Sequence, residues 1–200
     1  MAYVNTSDVT AYGDFVSSDD DDLITILVAR ATSIIETETG RVFEAVASTK
    51  KFSSVENVDE RTLYVTPEEF VALASDGITN GDSDAGDIGS SDLVLLPANT
   101  TPKFGIELRP TTQARLAEDT DGNHLEAISV HATWGYSTTP PNDIKQATVR
   151  LTLWLYKQRS VDMDLERPLL TGDGVTVMPA RLPNDVRSIL SKYIDIGVLG

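Results

Sequence analysis

Two consecutive prolines separate a strand-like segment from a helix-like segment in residues 134–159, WGYSTTPPNDIKQATVRLTLWLYKQR. Pro140 and Pro141 end the strand because they lack the backbone N–H that a sheet requires, and Gly135 permits a sharp turn before them. Asn142 or Asp143 is predicted to cap the helix that follows. Apolar residues at three- and four-residue intervals predict one buried stripe on this helix, formed by Ile144, Ala147, Thr148, Leu151, Trp154 and Leu155.

A second long helix is predicted near the N-terminus. Ser17 or Ser18 is expected to cap it, the acids of residues 19–22 suit the positive end of the helix dipole, and Gly40 suits its C-terminal end. These aspartates lack the alternating spacing and the glycine of a calcium loop. Helical spacing predicts a buried stripe of Leu23, Ile24, Leu27, Val28, Ala31, Ile34 and Ile35. We expect the stripes of the two long helices to pack together.

Between residues 42 and 136 the pattern changes to that of a β-rich portion. The runs RTLYV, DLVLLP, KFGIELRP and AISVHATW predict strands, and alternation in the last run predicts a strand buried on one face. The segment TPEEFVALA fits either a helical turn or a further strand. Residues 76–92, DGITNGDSDAGDIGSSD, are rich in glycine and poor in apolar residues, so a flexible loop is predicted there. Asp121 and Gly122 predict a turn between strands.

The C-terminal part reads as a linker followed by a short helix. After residue 160 an irregular linker is expected, and TGDGVTVMPA then predicts a hairpin or an extended arm. In LPNDVRSILSKYI, Asn184 is predicted to cap a helix. That helix would present five apolar or aromatic side chains, namely Val186, Ile189, Leu190, Tyr193 and Ile194.

The charge of the chain argues against binding to nucleic acid. It has 31 acidic and 16 basic residues, a net charge of −15, and no cysteine. A negative net charge disfavours binding to the phosphates of nucleic acid, although repulsion of DNA could itself be useful. The absence of cysteine excludes disulfides and thiolate sites. No apolar run approaches the roughly 20 residues of a membrane span, and the N-terminus lacks the features of a secretory signal, so we expect a soluble protein.

Catalytic and metal-binding motifs are missing from the sequence. His124 and His131 are the two histidines, and neither has a local nucleophile. An EF-hand register fails from Asp82, which puts Leu93 at the position of the final glutamate, and it fails from Asp119, which puts His124 at the glycine position. We therefore expect no cofactor, no metal and no enzyme. Two carboxylates that come together only in the folded chain, as in a glycosidase, leave no motif in the sequence, so the sequence does not exclude such a pair.

Three separated pieces of the chain together resemble the head-to-tail adaptor, or connector, proteins of tailed double-stranded DNA bacteriophages. They are DLITILVARATSIIETETGRVF, then ISVHATWGYSTTPPNDIKQA with its long helix LTLWLYKQR, and finally LPNDVRSILSKYI. The stretch DLVLLPANTTPKFGIEL is also similar to that family's pair of strands divided by a proline-containing turn. The β insertion here is longer than in the smallest family members.

The resemblance implies an α+β fold, with a helical bundle formed by the N- and C-terminal segments around an inserted β-rich portion. On this view residues 1–45 are the first part of the helical body. Residues 46–137 are the insertion, with the flexible loop at 76–92. Residues 138–200 supply the long helix, the linker and a C-terminal docking segment.

The same resemblance implies a structural role in the virion neck. About twelve copies would assemble in the host cytoplasm into a ring beneath the portal protein. That ring would extend the DNA channel, let DNA pass without specific binding, and give the next neck, stopper or tail protein a surface to bind. The acids of residues 82–92 are candidates to face the channel. The expected portal-docking residues are Leu182, Pro183, Val186, Ile189, Leu190, Tyr193 and Ile194.

Several alternatives stay open at this point. The C-terminal helix could instead complete the core of its own subunit. Trp134, Tyr136 and Arg150 fit either contacts between subunits or anchors of the core, and Arg41 and Arg159 fit either ion pairs with a neighbour or a solvated surface. Other functions compatible with the sequence are another neck or tail-completion protein, a calcium- or carbohydrate-binding module, and a carboxylate-dependent hydrolase.

Overall fold

The computed structural model describes residues 2–13, 20–82, 88–158, 169–170, 176–177 and 182–194. The chain divides into two compact units. Met1–Arg41 and Pro140–Gly200 form the first, called here the helical unit, and Val42–Thr139 form the second, called the β unit. The described residues thus combine helices with antiparallel sheets, as an α+β chain requires.

Four helices make up the described part of the helical unit. They are α1 (Thr6–Tyr12), α2 (Asp21–Thr39), α3 (Asn142–Gln158) and α4 (Asn184–Leu190). The central one is α3, which contacts each of the other three. Its burial therefore extends well beyond the predicted stripe, and Val149, Leu153 and Tyr156 are buried too. Only Trp154 of the predicted stripe stays half-buried.

The predicted stripe on α2 is largely confirmed. Its buried members are Ile24, Leu27, Val28, Ala31 and Ile35. Gly40 ends the helix in the left-handed conformation (φ 69°), and its N–H donates to the carbonyl of Glu36 at 2.8 Å, as a C-terminal glycine should. At the other end the N-cap residue is Asp20. Ser17 and Ser18, predicted to cap the helix, lie outside the described residues.

The starts of α3 and α4 differ from the predicted caps. The N–H of Lys145 donates to the carbonyl of Pro141, and that of Arg187 donates to the carbonyl of Pro183. A proline therefore precedes each helix, and Asn142, Asp143 and Asn184 lie inside the first turn instead of capping it. The short helix α1 was not predicted. Its start carries a reciprocal contact in which the N–H of Asn5 donates to Asp8 at 2.9 Å.

Two antiparallel sheets form the described part of the β unit. The first has the order β1-β7-β4, with β1 at Val46–Phe52, β4 at Phe70–Asn80 and β7 at Ile128–Trp134. The second has the order β2-β3-β6-β5, with β2 at Val58–Asp59, β3 at Thr62–Tyr64, β5 at Leu93–Leu96 and β6 at Gly105–Leu108. Strand β7 alternates between buried and half-buried residues, which confirms the predicted one-sided burial.

The flexible loop predicted at 76–92 is wrong over its first part. Residues 76–80 belong to β4, which pairs with β7 after a register shift between Leu73 and Ile78. The segment TPEEFVALA, which fitted either a helical turn or a further strand, continues into β4 from Phe70. A side chain at Gly77 would come within 2.2 Å of Cγ of Leu73, so the irregularity in the strand explains the glycine. Residues 83–87 lie outside the described part, and a 3-10 turn occupies Ser90–Asp92.

The strands β5 and β6 form the predicted pair joined through a proline-containing turn. Lys103 holds this turn together, because its buried ammonium donates to the carbonyls of Pro97 and Ala98. Farther along the chain, β8 (Leu169–Leu170) and β9 (Thr176–Val177) pair antiparallel. Strand β9 lies within residues 171–180, where a hairpin or extended arm was predicted, and β8 lies just before them, in the predicted linker.

Gly135 makes the predicted turn at the end of β7. Its φ of +138° is rarely adopted by other residues, and a Cβ there would lie 2.8 Å from Cα of Ala45. Its N–H donates to the carbonyl of Glu69, and the N–H of the next residue, Tyr136, donates to the carbonyl of Val42. The position therefore requires glycine for both its conformation and its lack of a side chain.

Candidate functional site

The predicted docking segment, residues 182–194, divides into a buried part and an accessible part. Leu182, Val186 and Leu190 are buried in the helical unit. These three residues are core contacts of the folded chain and leave no accessible surface for a partner. The interpretation that this helix completes the core of its own subunit therefore fits three of the seven predicted docking residues.

The accessible part lies at and beyond the end of α4. Ile189 and Tyr193 are half-buried, and Ile194 is 48% exposed. The phenol of Tyr193 donates to Asp143 at 2.7 Å, and its carbonyl accepts from Nε of Arg41 at 2.8 Å. Arg41, predicted to meet a neighbouring subunit or solvent, thus bonds to its own chain. These two bonds fix the turn that carries Ile194.

A groove of about 260 Å³ lies on another side of α4. Arg150, Trp154 and Lys157 line it from α3, and Tyr12 lines it from α1. Pro183 and Asp185 line it at the start of α4. Sequence reasoning missed Tyr12, Lys157 and Asp185 as members of a site. The i, i+4, i+7 spacing of Arg150, Trp154 and Lys157, with two cations beside an aromatic ring, was a usable signal.

An ion pair between Arg150 and Asp185 joins α3 to α4 in this groove. Each side chain is 41% exposed, yet Nε of Arg150 and Oδ2 of Asp185 are shielded from solvent. Arg150 also donates from Nη1 to the hydroxyl of Tyr12 at 3.4 Å. The hydrogen bond with Tyr12 and the nearby carboxylate of Asp185 raise the pKa of the Arg150 guanidinium above its ordinary value. The guanidinium therefore stays protonated and paired with the carboxylate of Asp185.

The aromatic candidates Trp134 and Tyr136 both lie in the β unit. Trp134 is 5% exposed, packs on Phe52 and Phe70 with ring centroids 5.7 Å away in each case, and donates from Nε1 to the carbonyl of Ser48 at 2.8 Å. Tyr136 is half-buried and its ring lies 5.4 Å from that of Phe43. Trp134 thus serves as a core residue, with little surface left for another subunit. Arg159 lies outside the described residues.

Neither histidine belongs to a cluster of metal ligands within the described ranges. His131 contacts the exposed Asp76 at 3.2 Å, on the surface of the first sheet. Within the described ranges, no three His, Asp or Glu side chains gather as ligands for a metal ion. Among the helices described, none is both long enough and apolar enough to cross a bilayer.

Comparison with known proteins supports the resemblance noted from sequence. A chain from the structure "Neck of empty GTA particle computed with C6 symmetry" aligns over 99% of this chain and 92% of its own length. The identity is 16% and the TM-score 0.59, so the similarity is one of fold. No curated protein matches. A family model described as "Head completion protein" matches residues 3–196. Because that match covers nearly the whole sequence, the chain belongs to the head completion protein family.

Proposed function

We propose that the protein is a structural component of the virion neck, an adaptor that forms a ring of about twelve copies beneath the portal. The observation that carries this proposal is the family match over residues 3–196. The fold similarity to a chain of a GTA particle neck, determined with C6 symmetry, supports it, because about twelve copies are compatible with sixfold symmetry. On this view the helices around α3 form the bundle that is the body of each subunit, and the protein has no catalytic role.

The portal is proposed to bind the accessible part of the C-terminal segment. Ile194 offers exposed apolar surface there, with the half-buried Ile189 and Tyr193 beside it. Tyr193 is already held by Arg41 and Asp143. A surface fixed before binding loses less conformational entropy when a partner docks, which favours a specific contact.

Electrostatic repulsion is proposed to keep DNA from adhering to the ring. Each copy carries a net charge of −15, so a ring of copies would be strongly negative and would repel the phosphates of DNA. DNA would then slide through without specific binding during packaging and ejection. The acids of residues 82–92 are the proposed channel-facing group. The downstream neck or tail component would bind the opposite side of the ring in the assembled virion.

Co-sedimentation with the portal complex from the same genome tests the docking proposal. Ile194→Asp should weaken co-sedimentation by about tenfold or more, because a charge replaces apolar surface at the contact. Val55→Asp is the matched control, since Val55 is a 64%-exposed apolar residue of the β unit and should tolerate the change. Equal binding of both variants would contradict docking through Ile194.

A further inference from the structure

The groove on α3 is also a candidate contact between neighbouring copies in the ring. We propose that the groove of one copy receives the outer face of α2 from a neighbouring copy. This inference rests on the proposed ring and names the contact that would build it. A contact between two different surfaces of identical subunits forms a ring when the rotation that relates neighbouring copies closes on itself.

The groove presents charges in a defined order along α3. Lys157, Trp154 and Arg150 follow one another on one stripe of the helix over about 10 Å. Asp185 stands beside Arg150 through their ion pair. From the C-terminal end of α3 the groove therefore presents a lysine, an aromatic ring, and then an arginine–aspartate ion pair.

The outer face of α2 presents a matching order. Asp22, Ile26 and Arg30 are spaced i, i+4, i+8, are all exposed, and extend over about 12 Å. Ile26 is 65% exposed, more than any other large apolar residue in the described ranges. This face therefore presents an acid, an apolar residue and a cation in that order. The described helical unit leaves most of the Ile26 side chain uncovered.

The two surfaces complement each other in charge and length. Asp22 would face Lys157, Ile26 would pack on Trp154, and Arg30 would approach Asp185. An ammonium has three N–H donors, so Lys157 can bind the carboxylate of Asp22 in addition to the contact it makes within its own chain.

The occupant must come from another copy, because α2 cannot turn this face toward its own groove. The residues two positions before and after Ile26 are Ile24 and Val28, which are buried in the helical unit. Two helical positions correspond to a rotation of about 200°, so Ile26 points away from the packed side of α2. The outer face of α2 is therefore available only to a neighbour.

Cysteine cross-linking tests the contact without background, because the natural chain contains no cysteine. One variant carries Ile26→Cys and the other, extended by a short tag to change its mass, carries Lys157→Cys. Mixed in the presence of the portal complex and treated with a short thiol cross-linker, they should give a dimer of mixed mass. A mixture of Val55→Cys with Lys157→Cys is the control and should give at least tenfold less.

Native mass spectrometry of the same mixtures separates the two proposals. A ring without the mixed dimer would overturn the α2–groove contact and leave the ring intact. Neither ring nor mixed dimer would overturn both the ring and the contact. A mixed dimer at the level of the Val55→Cys control would also reject the contact, because it would reflect random collision.

Charge reversal provides a second measurement on the same pair. Asp22→Lys or Lys157→Glu should each raise the concentration needed for ring formation by roughly two- to tenfold, the effect of turning one exposed ion pair into a like-charge contact. The double variant Asp22→Lys/Lys157→Glu should recover most of that loss. A double variant that assembles no better than the singles would overturn the pairing.

Discussion

The phenol of Tyr193 donates a hydrogen bond to Oδ1 of Asp143 at 2.7 Å, joining the turn after α4 to the first turn of α3. The carbonyl of the same tyrosine accepts from Nε of Arg41 at 2.8 Å. Both partners are far from Tyr193 in sequence, so the C-terminal turn depends on tertiary contacts for its position. The proposed portal contact at Ile194 follows directly after this anchor.

Tyr193→Phe should remove the bond to Asp143 and lower the free energy of unfolding of the helical unit by about 1 kcal/mol. Urea denaturation followed by circular dichroism at helical wavelengths measures the change. A double-mutant cycle with Asp143→Ala should then show a coupling of about 1 kcal/mol between the two positions. If the losses in unfolding free energy of the two single variants simply add in the double variant, the hydrogen bond contributes nothing to stability.

Trp134→Ala should cost the β unit about 3–5 kcal/mol, because it empties the space between Phe52 and Phe70. Trp134→Phe should cost less, since it keeps an aromatic ring and loses the bond to the carbonyl of Ser48. Denaturant unfolding of the three proteins checks this order. If Trp134→Ala changed the assembly state and left unfolding unchanged, Trp134 would be a subunit contact instead.

Gly135→Ala should destabilise the β unit more than Gly122→Ala does. Both glycines have positive φ, +138° and +78°, so each substitution strains the backbone by about 1–2 kcal/mol. At Gly122 the new Cβ meets open space, whereas at Gly135 it comes within 2.8 Å of Ala45. Thermal unfolding measures the difference between the variants. Equal melting temperatures would contradict the close approach of the chain at Gly135.

Lysine in the acidic loop should slow DNA passage if that loop lines the channel. Asp82 pairs with Arg115 at 3.4 Å and Asp92 accepts from the N–H of Gly89 at 3.1 Å, so both have local contacts. Substituting Asp84 and Asp87, which lie outside the described residues, leaves these two contacts in place. Particles with Asp84→Lys/Asp87→Lys should eject DNA more slowly than particles with asparagine at both positions, measured by dye release in vitro. The same rate for both would place this loop away from the DNA.

Periodicity predicted the elements whose burial is one-sided. The stripe of α2, the αL glycine at Gly40 and the alternating β7 all follow local rules that a sequence displays directly. The second half of β4 does not, because Asp76, Gly77 and Asn80 have the composition of a loop. Pairing with β7 overrides that composition. A local sequence pattern cannot reveal this pairing, because β7 lies about 50 residues farther along the chain.

The site was predicted less completely than the fold. The apolar pattern of LPNDVRSILSKYI identified the segment but did not separate the buried Val186 and Leu190 from the exposed Ile194. That division depends on where α4 packs. The groove was missed for a related reason, since Tyr12, Arg150 and Asp185 come from three separate helices or their ends. Only the folded helical unit brings them together.

Native mass spectrometry of the purified protein, alone and after mixing with the portal complex of the same genome, tests the central claim most directly. The account predicts a ring of about twelve copies bound to the portal in a fixed stoichiometry. A protein that stays monomeric both before and after mixing would contradict it.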